Sequence, residues 1–398
     1  MTYPRYFRTL EKVKGIGAIE RMELEEVCRK FPFRANEYYL SLIDWDDPDD
    51  PIRHIIIPDR RELEAGGELD ASNERLYTKV PGLEHKYTHI AVLLVSDVCG
   101  SFCRFCFRKR LFMKHGNEVE RDVTEAIRYI RAHTELDNVL ITGGDPLLLS
   151  TGRLETIIRS LREIDHIRII RIGSKVPAFN PYRILNDPAL LGMLSRYSLP
   201  DRRIYLIAHF NHPGELTDAA IKALDLVLKT GTVIMNQTPL IRGVNDSPEV
   251  LGDLFNRLTY IGVRPYYVFQ CRPTTGNRHL AVPVEEAFEI HERAKMKCAG
   301  LGKGARFVMS HTKGKVEVLA LTESTIVFKF HRSANWAGKA RISICKRNPD
   351  AYWYDDYTEV VEEYIPGNPF LDEYKGPGLT THDENLSRDT WQNTGKKP

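Results

Sequence analysis

The sequence predicts an α/β chain built as a partial (βα)6 barrel. Two observations carry that prediction. Short β-branched runs at residues 89–96, 138–143, 167–174, 203–210, 232–240 and 264–271 alternate with segments of helical period at 123–134, 154–164, 188–198, 216–230, 248–261 and 282–298. Right-handed crossovers in one continuous series lay such strands side by side in a parallel sheet and curl it toward a barrel. No internal repeat is visible, which excludes a solenoid.

Residues 1–85 precede this alternation and read as an accessory, helical region, with helical period over 21–29. In the stretch 44–51, Asp44, Asp46, Asp47, Asp49 and Asp50 crowd around Pro48 and Pro51, a composition that favours turns over helix. Residues 86–300 carry the βα units. Helix starts there are marked by capping residues and early prolines, as at Ser247-Pro248 and Asn186-Asp187-Pro188. Residues 301–398 are expected to close the barrel: extended over 305–309 and 325–331, then aromatic and acidic, with a frayed polar end at 380–398.

Of the 398 residues, 42% are hydrophobic and 28% charged, the balance of an ordinary globular chain. The 56 Lys and Arg nearly cancel the 54 Asp and Glu, so a polybasic nucleic-acid arm is excluded. No run of about 18 apolar residues exists, and residues 1–20 lack the apolar core of a secretory signal. Seven cysteines are too few and too scattered for a disulfide scaffold. A cytoplasmic protein is expected, with neither nucleic acid nor membrane as partner, in which clustered cysteines bind metal or do chemistry.

The cluster is Cys99, Cys103 and Cys106, a C-x3-C-x2-C directly after the first strand. Three readings are open at this point: buried small residues, a zinc site, or an iron–sulfur site. Structural zinc wants four tetrahedral ligands, and no fourth Cys or His stands at the usual spacing. Three thiolates on one loop suit three irons of a [4Fe–4S] cube and leave the fourth iron open. The loop lies at the C-terminal end of a strand, where barrel enzymes place their chemistry.

C-x3-C-x2-C with Phe105 before the last cysteine resembles the signature of radical S-adenosylmethionine (SAM) enzymes. The resemblance extends to the lysine 2,3-aminomutase family through Phe31-Pro32-Phe33-Arg34, residues 38–44, residues 80–87, residues 103–108 and Thr142-Gly143-Gly144-Asp145-Pro146. It continues through Arg171-Ile172-Gly173-Ser174, residues 209–213, Asn236-Gln237, residues 243–246 and Pro265-Tyr266-Tyr267, in collinear order over roughly residues 20–330. It implies the TIM-like partial barrel of the radical SAM type. It also implies a cluster on Cys99, Cys103 and Cys106 whose open iron binds SAM, and a 5′-deoxyadenosyl radical that takes hydrogen from an amino-acid-like substrate. Gly143, Gly144 and Asp145 would meet the methionyl ammonium. Ser174, His209 and Gln237 would contact SAM, and Arg108 would hold the substrate α-carboxylate.

The resemblance implies pyridoxal 5′-phosphate (PLP) as well, with Lys315 as the lysine that links to it and Lys313 second. For its phosphate the family pattern has two arginines flanking a tyrosine; this chain has Lys86 and Tyr87 but Ile90 at the second arginine position. The family's two aspartates for the distal ammonium of lysine are replaced by Arg272 and Ser310. A cation there rejects an ammonium and suits a carboxylate. The cysteines that join family subunits through zinc are missing, with Cys345 alone and Ser247 in the partner position, so a homo-oligomer without that site is expected. A flavodoxin- or ferredoxin-type electron donor is implied. The favoured reading is a PLP-assisted 2,3-aminomutase for a glutamate-like amino acid. The alternatives are a PLP-independent radical SAM epimerase, dehydratase or rearrangement enzyme, and a non-catalytic iron–sulfur barrel.

Overall fold

The computed structural model describes residues 3–113, 118–334 and 340–365; the expected frayed end at 380–398 lies outside them. Six parallel strands form in chain order: β1 (Ile90–Ser96), β2 (Asn138–Gly143), β3 (Ile169–Ser174), β4 (Ile204–Ala208), β5 (Val233–Leu240) and β6 (Arg264–Gln270). Their outward residues, such as Leu93, Ile141, Ile172, Leu206, Ile234 and Val268, are buried against helices α1 (Thr124–Ala132), α2 (Thr151–Arg162), α3 (Pro188–Tyr197), α4 (Asp218–Lys229), α5 (Pro248–Tyr260) and α6 (Val284–Met296). Burying both faces of a parallel sheet explains the near-continuous apolar runs.

The helix boundaries follow the caps. Helix α2 begins three residues before the periodic segment because Ser150 accepts from Arg153 N. Asp187, Thr217 and Ser247 cap α3, α4 and α5 in the same way. In the aspartate-rich stretch, Asp50 caps a short helix, Pro51–Ile56, with Pro51 at its first position, where a missing N–H costs nothing. Among the described residues no helix is long and apolar enough to cross a membrane.

The sheet continues beyond the six strands. Strand β7 (Arg306–His311) runs parallel to β6, and β8 (Gly314–Leu321), β9 (Thr325–Ser333), β10 (Ile342–Lys346) and β11 (Val360–Tyr364) follow antiparallel. On the other side, Leu83–Tyr87 pairs antiparallel with β1 and Thr78–Val80 extends the edge, so residues 1–85 contribute strands as well as helices. Among the described residues the 13 strands of this sheet lie in sequence order, and its two ends do not pair. The barrel is therefore open. Its gap is bridged by the β7–β8 turn: Lys86 Nζ donates to His311 O (2.8 Å) and Tyr77 Oη to Thr312 O (3.0 Å).

Candidate active site

A cavity of about 310 Å³ lies within the curve of the sheet. Ile90 and Val92, Leu140 and Thr142, Arg171 and Gly173, Ile207 and His209, Gln237 and Pro239, and Tyr267 and Phe269 line it. This spacing of two is the alternate-residue display of a pleated strand. Of the site residues singled out from the sequence, all but Lys313 meet here: Cys99, Cys103, Phe105, Cys106 and Arg108 from the loop after β1; Gly143, Gly144, Asp145, Ser174, His209 and Gln237 on or just after the next four strands; and Lys86, Tyr87, Arg272, Ser310 and Lys315 from the closing elements.

The N-terminal region clamps the cysteine loop. Arg34 Nε donates to Cys99 O (2.7 Å), Phe102 N to Arg34 O (2.8 Å) and Arg104 N to Ile55 O (2.8 Å). The Arg104 guanidinium forms a buried fork with Glu62, with both bonds at 2.7 Å. All seven cysteines are free. Burial pushes the Cys99 and Cys103 thiols up, helped by Asp145 beside Cys99 and by Cys106 beside both. Among the described residues no three His, Cys, Asp or Glu side chains converge on a single-ion site. The three thiols line one cavity, where each could serve its own iron of a cube. His209 Nε2 is buried and has no protein partner, as a group awaiting a ligand would be.

Gly143 has φ +114°, and a Cβ there would lie 2.5 Å from Ser96 O; one on Gly144 would lie 2.5 Å from Val98 O. The glycines let the end of β2 lie against the backbone leading into the cysteine loop, a reason beyond the bare surface offered to a ligand. Asp145 differs from expectation. Its carboxylate accepts from Ser174 Oγ (2.7 Å), Leu147 N (3.0 Å), Lys175 N (2.8 Å) and Val176 N (3.1 Å). Burial raises it to about 6 against those donors. Asp145 and Ser174 thus tie two strand ends together, and the carboxylate has little left to give an ammonium.

Arg108 also differs. The arginine expected to await a carboxylate already holds Glu74, at 2.7 Å from NH2 and 3.0 Å from Nε, and lies 3.8 Å from Glu84. Arg110 shares Glu74 at 2.6 Å. Burial opposes ionisation of Glu74, but Arg108 and Arg110 outweigh it and hold the carboxyl down at about 2. Glu84 goes the other way, to about 8, because it is buried beside Glu74 and its Oε1 has no hydrogen-bond partner. A carboxyl raised in the fold stabilises below its ordinary pKa of about 4.5, and that contribution is lost as pH rises through about 8. Glu84→Gln should therefore gain on wild type in thermal melts as pH rises from 5 to 9; a constant difference would refute the burial of a neutral Glu84.

Lys315 sits on β8 opposite Ser310 and donates to its Oγ (3.1 Å), with Nζ 4.4 Å from the Phe269 ring centre. Burial and the cations Arg272, Arg332, Arg171 and Lys86 hold its pKa well below the ordinary lysine value. Lys313 lies at the turn and is exposed. Arg272 faces inward, stacked on Phe107 (3.8 Å) and bonded to Ser72. Glu317, on β8, is within ion-pair reach of Arg306 (3.6 Å). Sequence reasoning missed Glu74, Glu84 and Arg332 as site residues; Arg171 stood inside a quoted motif without a role.

Residues 93–254 match the model of the radical SAM superfamily. "Putative L-lysine 2,3-aminomutase" of Aquifex aeolicus is 53% identical over 90% of this chain and 96% of its own length. The chain belongs to the lysine 2,3-aminomutase family of radical SAM enzymes. L-lysine 2,3-aminomutase of Clostridium subterminale is 39% identical over 73% of this chain and 70% of its own. Glutamate 2,3-aminomutase of Clostridioides difficile is 33% identical over 74% and 68%. The protein is thus a radical SAM isomerase of aminomutase type, and membership of the family implies a [4Fe–4S] cluster and SAM, which the cysteine loop and the unpartnered His209 fit.

Proposed function

We propose that this enzyme is a PLP-dependent 2,3-aminomutase whose substrate is an amino acid ending in a carboxylate, glutamate-like in size and charge. The observation that carries the reading is the placement of Lys315 and Arg272 in the same cavity as the cysteine loop. When bound, the cluster and SAM supply a hydrogen-abstracting radical, and PLP supplies a conjugated system across which nitrogen can migrate.

The chain's own residues account for the rest. Cys99, Cys103 and Cys106 would hold the cluster, and the backbone of Gly143 and Gly144 with His209 and Gln237 would orient SAM. A lysine amine must be neutral to attack a carbonyl carbon, and burial and the cations around Lys315 shift it toward that neutral form. Arg108 would take the α-carboxylate, Glu74 yielding its place or sharing the fork. Arg272, not ion-paired to any carboxylate among the described residues, would take the distal one through a planar fork. The apolar wall of Val92, Leu140, Ile207 and Phe269 would exclude water from a reactive intermediate.

A second reading, a lysine-type substrate, is favoured by one observation: Glu84 reaches the cavity with a buried, unpartnered oxygen that could face an ammonium. Turnover separates the two. Anaerobic, cluster-loaded enzyme with SAM, PLP and reductant should convert L-glutamate to its β-amino isomer faster than L-lysine, read by mass spectrometry; efficient turnover of L-lysine would overturn the acidic-substrate reading. Truncating one side of a desolvated arginine–carboxylate pair costs about 2–5 kcal/mol. Arg272→Asp should therefore weaken an acidic substrate roughly a hundredfold, chiefly in KM, with SAM cleavage retained.

A further inference from the structure

Around Lys315 the cavity carries more positive charge than the substrate reading uses. Arg171 projects from β3, half-buried, and Arg332 stands on β9 directly across the ladder from Lys315. Both line the cavity, and among the described residues neither is ion-paired with a carboxylate. Arg171 has one side-chain partner, Asn138, at 2.8 Å. Burial first, and then Arg332, bring Arg171 down to about 10, and Arg332 lies close enough to Tyr87 to favour that phenol's ionised form. Lys86, beside Tyr87 and across from the β7–β8 turn, completes the group. Ile90, at the position where the family pattern has its second phosphate-binding arginine, lines the same cavity and offers no donor.

Unpaired cations packed together and partly desolvated are unfavourable unless an anion joins them. A phosphate monoester carries nearly two negative charges at neutral pH and three acceptor oxygens, and arginine forks match its geometry. The cysteine loop is not the source of this need: the charged neighbours of Cys99 are Asp145, the other cysteines and Arg34, and those of Lys315 are Arg272, Arg332, Arg171 and Lys86.

We propose that Arg332 and Arg171, with Lys86, form the seat for the cofactor's phosphate, Arg332 supplying from a different strand the cation that is absent at Ile90. The inference rests on the PLP reading above, and it assigns the phosphate to residues reached through the β8–β9 hairpin. It also explains how that hairpin serves the site: the lysine and its phosphate anchor are cross-strand neighbours, so one ladder sets the spacing between the two ends of the cofactor.

The test compares PLP with pyridoxal, the same aldehyde without phosphate, on the cluster-loaded full chain. Binding is read by absorbance titration, and covalent attachment at Lys315 by borohydride reduction and peptide mass. Wild type should bind PLP at least a hundredfold more tightly than pyridoxal. Arg332→Ala should lose tenfold or more for PLP, leave pyridoxal unchanged, and still attach either aldehyde at Lys315; Arg332→Lys should recover part of the loss. Inorganic phosphate should compete with PLP in wild type and much less in Arg332→Ala. Arg171→Ala should act in the same direction, with its melting curve reporting any loss of fold. If Arg332→Ala and Arg171→Ala discriminate PLP from pyridoxal as wild type does, the seat is refuted and the PLP reading stands. If wild type attaches neither aldehyde, the PLP reading falls, and the inference with it.

Discussion

Cys103→Ala should abolish reductive cleavage of SAM. Cys99, Cys103 and Cys106 line one cavity, and their loop is held by Arg34, Ile55, Glu62 and Asn277 through backbone and side-chain bonds. Each thiolate can serve one iron of a cube, and two cannot hold it with a single open corner. Iron content and deoxyadenosine yield should fall together to background, with the melting curve little changed because the loop is fixed by bonds that do not involve the thiol. Alanine at Cys28, Cys298 or Cys345 is the control. Cys298 and Cys345 are buried among apolar side chains, and losing either sulfur should cost about 1–2 kcal/mol of stability with iron retained. Deoxyadenosine at the wild-type rate from the Cys103→Ala protein would remove these cysteines from the chemistry.

What could be read from the sequence and what could not divide along one physical line. The cysteine triad and Gly143-Gly144 are local: their function depends on spacing within a few residues, which the chain displays directly. The six parallel strands were legible because burial on both faces demands β-branched runs, and their helices because capping residues precede them. The partners of the charged groups were not legible. Glu74 meets Arg108 from 34 residues upstream, and Arg332 meets Lys315 through the register of the β8–β9 ladder. Asp145 looked like a free carboxylate because its donors Ser174, Lys175 and Val176 sit on the next strand and turn. Strands β8, β10 and β11 were missed for a related reason. They are antiparallel, only partly buried in β8 and β10 and exposed throughout in β11, and owe their pairing to neighbours in the sheet more than to their own composition.

Lys315→Met should separate the chemistry of this site from its stability, in opposite directions. With the lysine gone, borohydride should fix no PLP to the chain and the rearrangement should stop, whereas deoxyadenosine should still form slowly, because the cysteine loop and the Gly143-Gly144 backbone are untouched. Stability should move the other way. Burial and four neighbouring cations hold the amine well below its ordinary pKa, so the folded chain binds a proton at Lys315 more weakly than the unfolded chain does. By linkage the wild-type fold is then penalised at neutral pH, and the penalty shrinks as pH rises toward the ordinary lysine value of about 10.5. Methionine, similar in length and uncharged, removes the penalty. The variant should melt at higher temperature than wild type at pH 7 and gain less at pH 10. A surface hairpin lysine would show neither the gain nor its pH dependence, and Lys313→Met is expected to behave in that way. A fold that buries an amine among cations has given up stability for a nucleophile, the usual trade at an active site. Equal melting curves for Lys315→Met and wild type across this pH range, with PLP still fixed to the chain, would move the nucleophile elsewhere.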